Sequence, residues 1–175
     1  MITEYNKENG EDVNLSKLIS DKMPLESFIE THKGSILLCH DVFIFYNGGV
    51  LLLTRDNLPA KENLWPVGGR VQRGMSIEGS LKKKVFEECS LNIKDIKLIG
   101  QARTTFSTDP FDHGKGTDTF NLVFFAQGYG ELKLDSMHKN PLIINSSSYG
   151  EVFRNSLHPY VKDFLELSFK IIDSK

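Results

Sequence analysis

The stretch "LWPVGGRVQRGMSIEGSLKKKVFEECSL", residues 64–91, places a glycine turn directly before a helix that carries two adjacent carboxylates, Glu87 and Glu88. Ser76 is a favourable N-cap residue, so the helix is predicted to begin there. Apolar side chains recur at every fourth position after it and predict one buried stripe: Ile77, Leu81, Val85 and Cys89.

The two carboxylates are open to two interpretations. Glycines between a strand and a helix let the backbone approach a ligand, and carboxylate oxygens are ligands that a hard divalent cation prefers. Alternatively, Lys83–Glu87 and Lys84–Glu88 have the i,i+4 spacing of helix ion pairs, each worth about 0.3 kcal/mol when exposed. The residues by themselves leave both readings open.

The length and composition predict one globular domain over residues 1–175. The local residue pattern predicts that residues 1–14 are mobile. It also predicts that residues 15–32 form N-terminal helices broken near Pro24. A net charge of −2 gives no reason to expect a nucleic-acid or anionic-membrane partner. Neither a membrane span nor a signal peptide is predicted, so the expected location is the cytoplasm. Cys39 and Cys89 stand among apolar residues and are interpreted as small buried thiols.

The rest of the chain alternates between strand and helix patterns. "NGG" at 47–49 is a strong hairpin signal between two apolar runs. The predicted strands are 35–46, 50–55, 93–107 and 119–128, and further helices are predicted near 147–155 and 159–170. Residues 131–141 are predicted to form a loop or a short edge segment. This order indicates an α/β (α+β) sandwich.

Residues 69–91 resemble a Nudix box. With Gly69 as its first glycine, Glu87 and Glu88 fall on the paired glutamates of the box. Four positions depart from the pattern and hold Met75, Lys83, Lys84 and Ser90. The frame and the final acids agree, so the resemblance implies a Nudix-like α/β/α sandwich with a mixed β-sheet.

The flanking segments resemble one subgroup of that family, the GDP-mannose mannosyl hydrolases. Three blocks stand in the subgroup's order: "GGRVQ" at 68–72, "GTD" at 116–118 and the histidine-bearing "LDSMHKN" at 134–140. The resemblance covers about residues 35–170. It implies a homodimer that hydrolyses a small-molecule nucleotide sugar at the sugar–oxygen bond, with one Mg²⁺, or Mn²⁺, neutralising the diphosphate leaving group.

The same resemblance implies a role for each matching residue. The expected metal ligands are Glu88, the carbonyl of Gly68, and Glu87. The expected catalytic residues are His138 as general base, Arg70, and Lys83, which stands where the subgroup has an arginine that assists the leaving group. The expected substrate-binding residues are Arg55 and Arg70 for the diphosphate, with Asp41 and Asp118 for the sugar or base.

Four departures favour an alternative function: Met75, Lys83, Lys84 and Met137. Met137 stands where the subgroup offers a glutamine oxygen to the metal, and a thioether is a poor ligand for magnesium. Lys84 places an ammonium group one helical turn before Glu88. The alternative is therefore a catalytically weak or inactive Nudix-like protein that binds a nucleotide and has a regulatory role.

Overall fold

The structure is a computed structural model that describes residues 2–19 and 23–174. In chain order its strands and helices are β1 (Lys7–Glu8), β2 (Glu11–Asp12), α1 (Leu25–Gly34), β3 (Leu37–Tyr46), β4 (Gly49–Arg55), β5 (Leu64–Trp65), β6 (Val67–Arg70), α2 (Ile77–Cys89), β7 (Asn92–Phe106), β8 (Thr117–Tyr129), β9 (His138–Ile144), α3 (Glu151–Ser156) and α4 (Pro159–Asp173). Short 3-10 helices span Leu15–Leu18 and Ser146–Ser148.

One mixed sheet organises the molecule. Its main path runs β5-β4-β3-β8-β7, with β6 paired to β3 and β9 paired to β4. The β3–β8 pair is parallel and the other pairs are antiparallel. The prediction that residues 119–128 form a central strand is confirmed, because β8 lies between β3 and β7.

Helices cover both faces of this sheet. Successive side chains of β3 and β4 point to opposite faces, and they divide between two hydrophobic clusters. One cluster contains the α2 stripe with Leu81, Val85 and Cys89. The other contains Val161, Leu165 and Phe169 of α4. This is the α/β/α arrangement with a mixed sheet, so the predicted fold class is confirmed.

Several local predictions are also confirmed. Ser76 caps α2, with its side chain accepting a hydrogen bond from the Gly79 N–H. The "NGG" turn is made with Asn47 and Gly48 at positive φ. Both cysteines are buried free thiols.

The N-terminal segment contains more structure than the sequence indicates. Residues 7–12, within the stretch predicted to be mobile, form the exposed β1–β2 hairpin. The predicted helices over 15–32 correspond to one 3-10 turn and α1, and Pro24, at the predicted break, directly precedes α1. Residues 20–22 of the predicted helical stretch lie outside the described residues. Among the described residues, no helix combines the length and the apolarity that crossing a membrane requires.

Candidate functional site

A cleft of about 590 Å³ opens beside β3, β6 and β8. The last turn of α2, the start of β9 and the end of β7 contribute other parts of its wall. Its lining includes Asp41, Arg55, Gly68, Gly69, Arg70, Lys84, Glu88, Thr104, Thr119, Asn121, Asp135, Met137 and His138, together with the aromatic residues Phe28, Trp65, Phe106 and Phe111.

Glu88 is a buried carboxylate at one end of this cleft. It is 7% exposed and lies next to Cys89 of the α2 stripe, so helix packing turns it inward. Its Oε2 accepts a hydrogen bond from the Gly68 N–H at 3.3 Å, and its Oε1 lies 3.1 Å from Lys84 Nζ. Burial raises the pKa of Glu88, while Lys84, His138 and the Gly68 N–H act in the opposite direction.

His138 and Asp135 complete a cluster around Glu88. His138 Nδ1 lies 2.8 Å from Asp135 Oδ1, and its Nε2 lies 3.7 Å from Glu88 Oε2. The Asp135 backbone N–H also donates to the Glu88 carbonyl at 2.9 Å, which ties the loop to the end of α2. The sequence analysis missed Asp135. The available signal was its position three residues before His138 in "LDSMHKN".

The donor atoms of this cluster fit a divalent cation. One ligand atom each from Glu88, Asp135 and His138 lies within 4.8 Å of the others. The two carboxylates provide the hard oxygen ligands that suit magnesium and manganese. The Lys84 ammonium group occupies one side of the Glu88 carboxylate, so an ion that uses Oε1 has to displace it.

Gly69 makes room for Lys84. A Cβ atom at Gly69 would lie 2.7 Å from Lys84 Cε, closer than two carbon atoms can pack. Gly68 and Gly69 lie within β6, so the turn predicted at these glycines is wrong. The two glycines instead bring a lysine and a backbone amide to the buried carboxylate. The ion pair that the i,i+4 spacing of Lys84 and Glu88 predicts is therefore present, and it lies inside the cleft.

Two arginines line the same cleft as the cluster. Arg55 is the register partner of His138 in the β4–β9 pair, and its Nε donates to the Pro59 carbonyl at 2.9 Å. Burial lowers the pKa of Arg55, and the charges of Asp41 and Glu88 oppose that change. The Arg70 guanidinium lies 3.5 Å from the centroid of the Phe28 ring, a cation–π contact that holds it at the cleft.

Asp41 is a second buried carboxyl group of the cleft. It is 5% exposed, and its Oδ2 accepts a 2.5 Å hydrogen bond from the Tyr160 hydroxyl of α4. Burial raises the pKa of Asp41 to about 7, although Tyr160 and Arg55 act to lower it. The sequence offered no signal for Tyr160, which is 119 residues away along the chain.

The raised pKa of Asp41 predicts how the stability of the protein depends on pH. A carboxyl group with a folded pKa of about 7 and an ordinary value of 3.8 keeps its proton in the folded state while the unfolded chain loses it. Stability is therefore lost as the pH rises through this range. For Asp41→Asn, which stays neutral, we expect the stability relative to wild type to rise by about 2–3 kcal/mol between pH 5 and pH 8.

Urea unfolding at the two pH values measures this difference. Asp118→Asn is the matched control, because pairing with Arg103 lowers the pKa of Asp118 and leaves it ionised in both states over this range. Its stability relative to wild type is expected to stay constant. A constant difference for Asp41→Asn as well would contradict the protonated carboxyl group.

The structure does not bring three predicted residues to the cleft. Lys83 and Glu87 face outward on α2, where Lys83 Nζ lies 3.8 Å from Glu87 Oε1 and 2.9 Å from Gln72 Oε1. Asp118 points away from the cleft-lining side of β8 and forms a bidentate pair with Arg103 at 2.9 and 2.7 Å. Met137 does line the cleft, and its backbone N–H donates to Asp135 Oδ1.

Comparison with known proteins agrees with this fold. A model of the NUDIX domain matches residues 39–143, more than half of the chain, so the chain belongs to the Nudix family. A search of curated proteins found no match.

Solved structures of Nudix proteins are similar to this one in fold. A MutT NUDIX hydrolase from Burkholderia pseudomallei has a TM-score of 0.60 and 16% identity, covering 75% of this chain and 97% of its own. A MutT protein from Methanosarcina mazei Go1 has a TM-score of 0.59 and 20% identity, covering 80% and 96%. A NUDIX hydrolase from Nitrosomonas europaea has a TM-score of 0.60 and 15% identity, covering 78% and 90%.

Proposed function

We propose that the protein hydrolyses nucleotide sugars or related nucleoside diphosphate derivatives, with GDP-mannose as the first substrate to test. The observation that carries this proposal is the placement of Glu88, Asp135 and His138 in one cleft with two arginines. Guanidinium groups suit phosphate oxygens, and the acidic cluster suits a divalent cation. The cleft thus combines the recognition of a diphosphate with a means of activating water.

Each residue of the cluster has a distinct part in the proposed reaction. Asp135 accepts the Nδ1–H of His138, which leaves Nε2 free to take a proton from water. The oxygen of that water attacks the anomeric carbon, and the bond from this carbon to the diphosphate oxygen breaks. Arg55 and Arg70 bind the released diphosphate. A Mg²⁺ or Mn²⁺ ion held by Glu88 and Asp135 would neutralise charge on that leaving group.

Incubation with a panel of nucleotide sugars, with and without Mg²⁺ or Mn²⁺, tests this function. GDP-mannose, GDP-glucose and the corresponding UDP and ADP sugars cover the class. We expect metal-dependent release of free sugar from at least one of them. An intact protein that turns over none of the panel would overturn the proposal.

Hydrolysis in oxygen-18 water locates the bond that breaks. Attack on the anomeric carbon places the label in the sugar. Label in a phosphate group would show attack on phosphorus instead, which would contradict the proposed role of water while leaving the substrate class in place.

A second function, nucleotide binding without hydrolysis, is favoured by the Lys84–Glu88 ion pair. A permanently seated ammonium group would leave the cleft able to bind a nucleotide but unable to recruit a metal. A ligand present at ~100 times its Kd stabilises the fold by about 2.7 kcal/mol, which a thermal-shift panel detects. Strong shifts without metal and without turnover would support this second function over the first.

Removal of Lys84 gives a direct prediction for the metal site. A cation that enters beside Glu88 Oε1 competes with the Lys84 ammonium group at 3.1 Å. We expect Lys84→Met to tighten Mn²⁺ binding to the substrate-free protein by about tenfold, a gain of roughly 1.4 kcal/mol. Isothermal titration calorimetry with Mn²⁺ alone measures this change.

The adjacent lysine provides the matched control. Lys83 is exposed and pairs with Glu87, so Lys83→Met removes the same charge from the same helix without touching the cluster. Its Mn²⁺ affinity is expected to equal that of the wild type. Equal affinities for both variants would mean that Lys84 does not compete for the site.

The proposal also concerns the oligomeric state of the protein and its location in the cell. We propose a homodimer acting in the cytoplasm, as the resemblance to the GDP-mannose mannosyl hydrolases implies. Sedimentation equilibrium of the full chain tests the dimer, and a single species of monomer mass would exclude it.

A further inference from the structure

A cluster of buried polar side chains lies in the cleft away from Glu88. Thr104 on β7 and Thr119 on β8 are register partners, and their hydroxyl oxygens lie 2.7 Å apart. Asn121 Nδ2 lies 3.1 Å from each hydroxyl oxygen and 3.4 Å from the Ala102 carbonyl oxygen. Thr104 and Asn121 are only 8% and 4% exposed, so their polar groups belong to the buried wall of the cleft.

The hydrogen bonds within the cluster leave two groups available. A carbonyl oxygen only accepts, so Ala102 sets the amide orientation of Asn121 with nitrogen toward the cluster. Asn121 Oδ1 then has no hydrogen-bond partner among the described residues. One threonine hydroxyl donates to the other, and the second hydroxyl keeps a free hydrogen. The cluster therefore offers the cleft the Asn121 Oδ1 acceptor and one hydroxyl donor, which is Thr104 or Thr119 because either oxygen can donate in their shared hydrogen bond.

Aromatic side chains stand around this polar pair. Phe106 follows Thr104 on the same face of β7 and contacts Trp65, with ring centroids 5.8 Å apart. Phe28 and Phe111 also line the cleft and pack edge to face at 5.3 Å. Aromatic side chains beside one donor and one acceptor suit a planar heterocycle, whereas a hexose needs partners for several hydroxyl groups.

The sheet places this cluster at a suitable distance from the arginines. Arg70 on β6 and Asn121 on β8 both pair with Cys39, from opposite sides of β3. Two strand spacings separate their Cα atoms, which is about 10 Å. A ribose and its first phosphate can bridge this gap when the diphosphate lies at Arg70.

We propose that Thr104, Thr119 and Asn121 form a nucleobase subsite that selects the base by its hydrogen-bonding edge. The inference rests on the proposed function, since it takes the diphosphate to lie at Arg70. Keto bases present an exocyclic acceptor beside a ring N–H donor, and amino bases present the reverse order. Whichever threonine keeps its hydrogen, the donor lies on the Nδ2 side of Asn121 and the acceptor is Oδ1, so the subsite favours one of these two groups of bases.

Calorimetric binding of GDP, UDP, ADP and CDP to the full chain tests the subsite without turnover. Inorganic pyrophosphate serves as the ligand that lacks a base. We expect GDP and UDP to differ from ADP and CDP by at least about tenfold in Kd, which is roughly 1.4 kcal/mol. Equal affinities for all four nucleotides and pyrophosphate would overturn the proposal.

Substitution of the hydroxyl group assigns the preference to the cluster. Thr104→Val keeps the shape of the side chain, and we expect it to remove the tenfold difference while leaving pyrophosphate binding unchanged. Thr104→Ser restores a hydroxyl and should restore the preference. Thr105→Val is the matched control, since Thr105 is exposed on the opposite face of β7. A preference that survives in Thr104→Val would overturn the assignment.

The two proposals fail separately. Selective nucleotide binding without hydrolysis of any nucleotide sugar would leave the subsite in place and remove the proposed activity. Hydrolysis that is indifferent to the base would keep the activity and remove the subsite.

Discussion

Glu88→Gln is expected to lower kcat/KM for the best nucleotide-sugar substrate by about 10²–10³, the range found when one preorganised charge-stabilising group is removed. The amide keeps the size of the side chain and removes its charge. Glu88 is buried within 3.7 Å of His138 and within 3.3 Å of the Gly68 amide, so the substitution changes the centre of the cluster. Steady-state kinetics at saturating Mn²⁺, together with Mn²⁺ titration of the free protein, measure both consequences.

Glu87→Gln is the matched control for this result. Glu87 is the next residue of the same helix, exposed, with Lys83 as its ion-pair partner. We expect less than a twofold change in kcat/KM. Similar small effects of both substitutions would mean that the metal-binding centre lies elsewhere, and similar large effects would bring Glu87 back as a ligand.

Gly68→Ala is expected to have the largest effect on stability. A Cβ at this position would overlap Asp41 Oδ1 and the His40 carbonyl oxygen, because β6 lies against β3 here with no space for a side chain. Overpacking of this kind costs about 3 kcal/mol, and for a chain of this size the Tm should fall by roughly 10 °C. Thermal unfolding followed by circular dichroism measures the change.

Gly34→Ala provides the comparison for that substitution. Gly34 ends α1, and an added Cβ there meets no atom within 4 Å. Alanine is a better helix former than glycine, so we expect a Tm equal to or slightly above that of the wild type. A mild effect of Gly68→Ala would show that β6 can move away from β3, and it would contradict the steric requirement for glycine at position 68.

Much of the fold could be predicted because its signals are local. Apolar residues at every fourth position mark the buried stripe of α2, and Ser76 marks its first turn. The "NGG" turn marks the β3–β4 hairpin. The β4–β9 pairing was harder to predict, because His138 and Arg55 are distant in sequence and "LDSMHKN" has no strand pattern.

The candidate site likewise contains residues that the sequence predicts and residues that only the packing of the chain brings together. Glu88 could be identified by its position in the Nudix box. It stands next to the apolar stripe of α2, so the packing of the helix also carries this carboxylate to the cleft. Asp135 could not be weighted as a partner, because its contact with His138 depends on how a loop packs against the end of α2. Tyr160 and Asn121 belong to elements with ordinary core patterns, and only packing shows that their polar atoms reach the cleft.

The sequence by itself determined the family frame, the helix that carries Glu88, and the order of strands along the chain, because these depend on spacing between near neighbours. Only the tertiary structure decided which charges meet. It separated Lys84 and Glu88 at the cleft from Lys83 and Glu87 on the surface, although all four belong to one short helical segment. The physical reason is the 100° turn between successive helical residues. Once α2 packs on the sheet, this turn directs Lys84 and Glu88 toward the cleft and leaves Lys83 and Glu87 on the surface.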